Sequence, residues 1–215
     1  MVNKQHLEHG IVRVGIDGGR GFVVQGQYEE RYVITAAHCL GDVPDHVLKV
    51  EDELVGIGPL AEPDKHISAS VYVWDVARDL AVLGCPDDQT FFDEADAYQA
   101  FVGGCVALDV DLEVPPYPPD CGLPFVMYTS DNLWVEGVAS TVGMYMTGIV
   151  LGIGIPGGTS GSPIFRADDG AAFGLVTTGQ LTEGGELEPV ETAQIHLGDN
   201  LPGWMLRSLK KTLEP

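Results

Sequence analysis

Short runs of β-branched and aromatic residues, bounded by glycine, proline and acidic residues, recur along the first half of the chain. Such runs are typical of β-strands. The longer stretch 91–102 has a helical pattern, although it could equally be a long surface loop. This half therefore predicts one antiparallel β unit with a single interruption. Its predicted strands lie at 21–24, 31–35, 47–50, 71–74, 80–83 and 105–110.

A proline-rich stretch separates this unit from a second series of similar runs. Four prolines fall within residues 114–120, and proline cannot donate a ladder hydrogen bond and favours extended polyproline geometry. We therefore expect a crossover at 114–120 between an N-terminal half, 1–113, and a C-terminal half, 121–215. After Asn200, a possible N-cap, the pattern predicts a short terminal helix. The strands predicted in the second half lie at 124–128, 133–140, 148–153, 162–165, 172–178 and 193–197.

Composition supports a folded all-β protein with many turns. The chain of 215 residues contains 28 glycines and 14 prolines, and this glycine content is well above the usual value of about 7%. Hydrophobic residues make up 45% of the chain and charged residues 20%, which is typical of a globular protein. The length allows one large domain or two small ones packed as a unit.

The net negative charge argues against two classes of partner, nucleic acids and anionic membranes. With 11 basic and 32 acidic side chains, the formal net charge is -21, which repels phosphate backbones and anionic membranes. We expect neither nucleic acid nor a membrane as partner, and the acidity serves either solubility or attraction of basic substrates. The first residues contain no apolar segment typical of a signal peptide. We therefore expect a cytoplasmic protein, with secretion as the alternative.

Cysteine and histidine positions give little reason to expect a metal. The cysteines are widely spaced and form no C-x-x-C pair, so we expect free thiols, with a Cys105–Cys121 bridge as the alternative. His6 and His9 could share a metal, but no second pair of ligands is evident and we interpret them as surface residues. We expect no cofactor. The four cysteines are Cys39, Cys85, Cys105 and Cys121.

Three short motifs contain side chains that together could perform nucleophilic catalysis. His38 follows a predicted strand in TAAHC, Asp79 precedes one in RDLAVL, and Ser160 lies in GTSGSP. A serine hydroxyl must lose its proton as it attacks, an imidazole can accept that proton, and an ionised carboxylate can orient the imidazole. Each residue also has a simpler interpretation: a core histidine for His38, a carboxylate paired with Arg78 or with a turn N–H for Asp79, and a turn for Ser160. Asp75 is a competing carboxylate, which we rank lower because it lies within a strand.

The glycines around Ser160 favour a catalytic serine over a simple turn. Gly157, Gly158 and Gly161 can adopt positive φ angles, so the chain can turn until the amides of Gly158 and Ser160 face one point. Two such donors would bind an oxyanion, which a turn alone would not require. Ser162 is expected to start the next strand, without a catalytic role.

Taken together and in this chain order, TAAHC, DLAVL and GTSGSP resemble the chymotrypsin/trypsin-like serine peptidases, in the single-domain bacterial type that lacks a PDZ domain. The resemblance covers nearly the whole chain, since GFVV before RYVITAAHC and GLVTTG after the serine also match family positions. It implies two antiparallel Greek-key β-barrels with a cleft between them. It also implies that His38 is the general base, Asp79 the orienting acid and Ser160 the nucleophile, with the amides of Gly158 and Ser160 as oxyanion donors.

The resemblance further implies how a substrate binds. Thr177, Thr178 and Gly179 match the segment that pairs with the substrate backbone, and Gly154 matches the floor of the specificity pocket. Because Gly154 carries no carboxylate, we expect a small or apolar residue before the scissile bond, unless an acid such as Glu183 reaches the pocket. The implied function is a serine endopeptidase that acts on protein or peptide substrates through an acyl-enzyme. The alternatives are a protease-fold binding or regulatory module with an occluded or inactive cleft, and an esterase with the same residues.

Overall fold

Two groups of antiparallel strands make up most of the structure, a computed structural model that describes residues 2–15, 18–41, 54–113, 122–142, 145–150, 155–179 and 190–209. Twelve strands and four helices lie within these ranges. The strands are β1 (Ile11–Val14), β2 (Gly19–Gln25), β3 (Arg31–Thr35), β4 (Leu54–Pro59), β5 (Ile67–Asp75), β6 (Leu80–Gly84), β7 (Leu123–Tyr128), β8 (Trp134–Val142), β9 (Tyr145–Val150), β10 (Pro163–Arg166), β11 (Ala172–Gly179) and β12 (Val190–His196). The helices are α1 (Lys4–Glu8), α2 (Phe92–Gly104), α3 (Leu197–Asn200) and α4 (Gly203–Leu209).

The first six strands form a closed antiparallel barrel in the order β1-β2-β3-β6-β5-β4, and β4 returns to pair with β1. Apolar side chains from its strands point into one core, in which Phe22, Val33, Ile34, Leu80 and Val82 are fully buried. A closed sheet leaves no unpaired edge and covers its interior with alternating side chains. The strands predicted around 21–24, 31–35, 71–74 and 80–83 are confirmed.

The second half forms another antiparallel sheet in the order β10-β11-β12-β9-β8-β7, and β7 pairs with β10. Phe125, Met127 and Ile164 are buried in a second apolar cluster. The described parts of the predicted runs lie on strands, with shifted ends: β10 begins at Pro163 and β12 ends at His196, and residues 151–153 lie outside the described ranges. The mostly β architecture expected from the sequence is therefore confirmed.

One predicted strand, 105–110, is wrong. The run is a connector that crosses between the two sheets: the Leu108 amide donates to the carbonyl of Val23 in the first barrel, and the Asp111 amide donates to that of Ala172 in the second sheet. Among the described residues, the run takes part in β pairing only as an isolated bridge between Val110 and Ala172. Its apolar side chains are explained by burial of a connector, since Leu108 is only 4% exposed.

Strand β4 was not expected, because glycine and proline are depleted in strands and its sequence is LVGIGP. It is paired on both sides, with β1 and β5. The glycine at 58 is required by close packing: a Cβ there would lie 2.2 Å from the carbonyl oxygen of Lys65. The strand predicted at 47–50 lies outside the described residues.

The stretch 91–102 is a helix rather than a surface loop. α2 has Asp93 and Glu94 in its first turn, where the helix dipole favours negative charge. At its other end the guanidinium of Arg31 donates to the carbonyls of Val102 and Cys105. Both ends of the helix are therefore stabilised by charge of the favourable sign.

The short terminal helix, α4, is also present, but Asn200 does not cap it. Asn200 is the last residue of α3, and its side-chain amide donates to the carbonyl of His196. α4 begins three residues later, at Gly203. The cap was misplaced because the sequence did not predict α3, which lies between β12 and α4. Its first residue, Leu197, was predicted to extend the strand.

Several expectations concern residues outside the described ranges. The proline-rich crossover 114–120 is among them, so the boundary between 1–113 and 121–215 stays a prediction. Cys121 is another, although Cys105, its expected alternative partner, is a free thiol like Cys39 and Cys85. No helix in the described ranges is both long and apolar enough to cross a membrane.

Candidate active site

The loop that carries Ser160 packs directly against the first barrel. The backbone amide of Arg20, in β2, donates to the carbonyl oxygen of Ser160 over 2.8 Å, and the thiol of Cys39 lies 3.5 Å from the same oxygen. Because Cys39 follows His38 in the chain, these contacts place the loop of Ser160 beside the turn that carries His38.

His38 is placed by a short turn after β3. The chain leaves the sheet at Ala36 and forms a 3₁₀ turn over Ala37–Leu40. Nδ1 of His38 lies 2.8 Å from Oδ2 and 2.9 Å from Oδ1 of Asp79, and the backbone amide of His38 donates to Oδ1 over 3.0 Å. The side chain of His38 is 42% exposed and that of Asp79 is 26% exposed. The carboxylate therefore holds both the ring and the backbone of His38 while one side of the ring faces solvent.

The turn between β5 and β6 explains why an aspartate can occupy position 79. Asp79 has φ +51, a left-handed conformation that aspartate tolerates better than most residues. Its amide donates to the carbonyl of Val76, which closes the turn. The chain then enters β6 at Leu80. The tight turn directs the carboxylate sideways onto His38 instead of into the barrel.

Asp75, the competing carboxylate, has a different role. It accepts hydrogen bonds from the backbone amide of Arg78 over 3.0 Å and from its guanidinium over 2.8 Å. Arg78 therefore pairs with Asp75, and Asp79 bonds to His38. The simpler interpretation, in which Arg78 neutralises Asp79, is wrong.

The carboxylate of Asp79 alters the protonation of His38. The hydrogen bond from the ring to Asp79 raises the pKa of His38 above its ordinary value of 6.5, and partial burial offsets this only in part. An ionised carboxylate accepts hydrogen bonds and does not donate them. Nδ1 therefore carries the proton in the neutral ring, and Nε2 is left as the basic atom.

The hydroxyl of Ser160 donates to the carbonyl oxygen of Thr177 over 3.3 Å. No hydrogen bond joins it to His38 in the part of the chain that the structure describes. The neighbouring Ser162 is fully buried, and its Oγ has no partner among the described residues. It lies in the turn before β10 and does not start the strand. Ser160 is therefore the accessible hydroxyl of the loop.

The turn around Ser160 leaves two backbone amides available. Gly158 and Gly161 both have φ +81, as the glycine pattern suggested. The amide of Gly161 donates to the carbonyl of Val176 over 2.7 Å. Among the described residues, neither the amide of Gly158 nor that of Ser160 has an acceptor. These are the two donors that the sequence suggested for an oxyanion.

The residues expected to contact a substrate backbone lie at the end of β11. The pairing of β11 with β12 shifts register between Val176 and Thr178, and Thr178 and Gly179 pair with Ala193 and Thr192 of β12. β10 pairs with β11 only between Ala172 and Leu175. The last residues of β11 therefore extend past β10. The expected pocket residues Gly154 and Glu183 lie outside the described ranges.

One contact of the loop that carries Ser160 had no signal in the sequence. Ser130, in the turn between β7 and β8, donates from Oγ to the carbonyl oxygen of Gly157 over 2.7 Å, and its amide donates to Oγ1 of Thr159 over 3.1 Å. The surrounding letters TSDN are ordinary turn residues. Nothing local distinguishes this serine from other turn serines.

A metal centre has no support in the described residues. They contain no group of three histidine, cysteine or acidic side chains that could hold an ion. His6 and His9 are both exposed. The groups that the structure places around His38 and Ser160 are an imidazole, a carboxylate, a hydroxyl and backbone amides.

The fold as a whole resembles that of a known protease. No family model matches the sequence, and no curated protein matches it. Among solved structures, a serine protease of a human pathogenic astrovirus is similar, with a TM-score of 0.52 and 16% identity over 91% of this chain and 94% of that chain. At this identity the likeness concerns the fold alone. It supports the chymotrypsin-like protease fold that the motifs led us to expect.

Proposed function

We propose that this chain is a serine endopeptidase that hydrolyses peptide bonds in protein or peptide substrates through an acyl-enzyme. The proposal is carried by the pairing of His38 Nδ1 with the carboxylate of Asp79 at 2.8 and 2.9 Å, on a turn whose next residue, Cys39, has its thiol 3.5 Å from the carbonyl oxygen of Ser160. This pairing leaves Nε2 as a base whose tautomer and orientation are held by the acid.

The reaction follows from these groups. His38 Nε2 accepts the hydroxyl proton of Ser160 as Oγ forms a bond to the substrate carbonyl carbon, and the carbonyl electrons move onto its oxygen. The amides of Gly158 and Ser160 donate to this oxyanion. The imidazolium then gives its proton to the leaving amine as the peptide C–N bond breaks. Water attacks the acyl-enzyme by the same route and restores Ser160.

Before attack, the hydroxyl of Ser160 must exchange its bond to Thr177 for one to His38. The present bond is long, at 3.3 Å, and side-chain rotation of a serine takes picoseconds to nanoseconds. Catalytic hydrogen bonds are often loose without substrate and tighten in the complex. The resting position of the hydroxyl is therefore compatible with catalysis.

The substrate binds as an added β-strand along the end of β11, at Thr177, Thr178 and Gly179. Support for this comes from the register of the sheet: Thr178 and Gly179 pair with β12 on one side, and β10 stops pairing at Leu175 on the other. Backbone pairing makes recognition partly independent of sequence. The residue before the scissile bond is small or apolar, in keeping with a glycine at position 154.

The wider assignment is to the chymotrypsin/trypsin-like family in its single-domain bacterial type, with two Greek-key barrels. It is supported by the three motifs and by the strand orders, in which β4 returns to β1 and β7 to β10. We place the protein in the cytoplasm, and the thiols of Cys39, Cys85 and Cys105 suit such a reducing compartment.

A second candidate function is a protease-fold binding module with an inactive cleft. It is favoured by one observation, the donation of the Ser160 hydroxyl to Thr177 and not to His38. If that bond is permanent, the hydroxyl is never activated and the cleft can only bind a partner.

A fluorophosphonate probe separates these functions. We expect the folded protein to be labelled on Ser160, mapped by mass spectrometry of proteolytic fragments, while heat-denatured protein stays unlabelled. A peptide library should then be cleaved at small or apolar residues. Absence of labelling together with capture of an intact peptide would instead establish the binding module. Turnover of a nitrophenyl ester without peptide cleavage would indicate an esterase.

The pH dependence of activity tests the role of His38. Because Asp79 raises the pKa of His38, kcat/KM should fall on acidification with a midpoint above 6.5, since an imidazolium cannot accept the serine proton. The stability of the protein should depend on pH in the opposite direction from its activity. Because the pKa of His38 is raised in the folded state, its interaction with Asp79 contributes fully to the free energy of unfolding below the unfolded-state pKa. This contribution is lost as the pH rises through the folded-state pKa.

The measurement is a profile of kcat/KM between about pH 5 and pH 9, with Tm recorded on the same samples. A profile that is flat over this range contradicts the assignment of His38 as the base, and a midpoint below 6.5 contradicts the raised pKa of His38.

A further inference from the structure

We propose that Ser130 is a positioning residue for the oxyanion site, which holds the peptide between Gly157 and Gly158 in the orientation that presents the Gly158 amide to the substrate. The inference rests on the proposed function. Its starting point is the hydrogen bond from Ser130 Oγ to the carbonyl oxygen of Gly157, at 2.7 Å.

The direction of the Gly158 amide follows from peptide geometry. The chain contains no cis peptide bond among the described residues, and in a trans peptide the C=O and the following N–H point to opposite sides of the bond. Because the Gly157 carbonyl points to Ser130, the Gly158 amide points away from Ser130. It has no acceptor among the described residues, so it remains available as a donor.

This peptide has little steric restraint of its own. A Cβ at Gly157 would have no atom within 4 Å, and Gly158 has φ +81. Glycine populates positive and negative φ about equally, so a peptide between two glycines can rotate with little steric penalty. A half rotation would turn the carbonyl of Gly157 towards the oxyanion and replace an attractive donor with a repulsive acceptor. The hydrogen bond from Ser130 opposes that rotation.

Thr159 connects Ser130 to the other side of the same turn. Thr159 is 1% exposed, and its Oγ1 accepts from the amide of Ser130 over 3.1 Å and lies 3.3 Å from Ser130 Oγ. Ser130 therefore contacts the residue before Gly158 and the residue after it. The two donors of the oxyanion site, Gly158 and Ser160, flank Thr159 in the chain.

Ser130 can act as an anchor because its own turn is rigid. The amide of Thr129 donates to Leu133 O over 2.9 Å, and that of Asn132 donates to Thr129 O over 2.9 Å. The hydroxyl of Thr129 donates to Asp131 and lies 2.9 Å from Leu133 O. The turn joins β7 to β8, two strands of the closed second sheet. The position of Ser130 is thus determined by the sheet and not by the nucleophile loop.

The test compares Ser130→Ala with Ser130→Thr, which keeps a hydroxyl. Loss of one oxyanion donor outright lowers kcat by about 100-fold to 1000-fold. Ser130→Ala keeps the Gly158 amide and releases only its orientation, so we expect kcat to fall by about tenfold with KM unchanged. Ser130→Thr should recover most of that loss. The pH midpoint of activity, which belongs to His38, should not move.

Thr90→Ala is the matched control. Thr90 is an exposed residue before α2 whose hydroxyl makes one hydrogen bond, to Asp87, so this variant should keep wild-type kcat. Thr159→Val is a second variant that removes the other contact of Ser130 with little change of shape, and it should also lower kcat. Tm of every variant shows whether a loss arises from unfolding.

Three outcomes overturn the inference: kcat of Ser130→Ala within twofold of wild type, a loss confined to KM, or a loss that Ser130→Thr does not recover in a folded protein. Wild-type protein that neither reacts with the fluorophosphonate nor cleaves peptides overturns the proposed function itself. The two failures are therefore distinguished by the behaviour of the wild type.

Discussion

Under the proposed peptidase function, Asp79→Asn should lower kcat by about ten-thousand-fold without unfolding the protein, which is the loss expected when the orienting acid of a serine, histidine and aspartate set becomes an amide. The ionised carboxylate accepts hydrogen bonds from the ring and the backbone amide of His38. An asparagine can donate to Nδ1 through its NH₂ group, which favours the tautomer with the proton on Nε2. That tautomer cannot accept the proton of Ser160. The loss is measured as kcat on a peptide from the cleavage profile, with Tm as the check on folding.

Asp75→Asn is the matched control for this substitution. The side chains of Asp75 and Asp79 are both 26% exposed, and they lie at the two ends of the same turn. Asp75 pairs with Arg78, and a pair at this level of exposure contributes only about 0–1 kcal/mol. We expect Asp75→Asn to retain kcat within a factor of about three. Equal losses in the two variants would contradict the assignment of Asp79 as the orienting acid.

The candidate site was accessible from sequence because its chemistry depends on a few residue types in short local motifs. Asp79 was preferred to Asp75 because it precedes a strand instead of lying within one. The structure gives a physical basis for this difference: the carboxylate at the end of the turn reaches His38, and the one at its start bonds back to Arg78. The position of each carboxylate in the turn therefore decides its partner, and this position can be read from the sequence.

Features that depend on contacts between distant segments were not accessible in this way. β4 contains two glycines and a proline, and its pairing with β1 and β5 outweighs its weak strand propensity. The run 105–110 has the apolar pattern of a strand, yet it is buried as a connector between the two sheets. Ser130 likewise acquires its contacts only when the turn between β7 and β8 meets the loop that carries Ser160. Each outcome is decided by tertiary packing.

The junction between the two halves gives the second large expected effect. Gly161→Ala should lower the free energy of unfolding by about 3 kcal/mol, the sum of a left-handed φ and an overpacked contact. Gly161 has φ +81, and a Cβ there would lie 1.8 Å from the carbonyl oxygen of Arg20 and 2.6 Å from Oγ1 of Thr35. These two atoms are themselves hydrogen-bonded over 2.6 Å, so neither can move without losing that bond. Tm should fall by about 10 °C.

The same substitution should remove fluorophosphonate labelling even below the new Tm. The Arg20 amide donates to Ser160 O over 2.8 Å, so a methyl group that pushes Arg20 away also separates Ser160 from the turn that carries His38. Gly157→Ala is the matched control for folding, because a Cβ at position 157 meets no atom within 4 Å and the residue has no positive φ. Its Tm should stay within about 2 °C of wild type. If Gly161→Ala instead retains both Tm and labelling, the loop that carries Ser160 does not depend on docking against Arg20, and the placement of Ser160 beside the turn that carries His38 is contradicted.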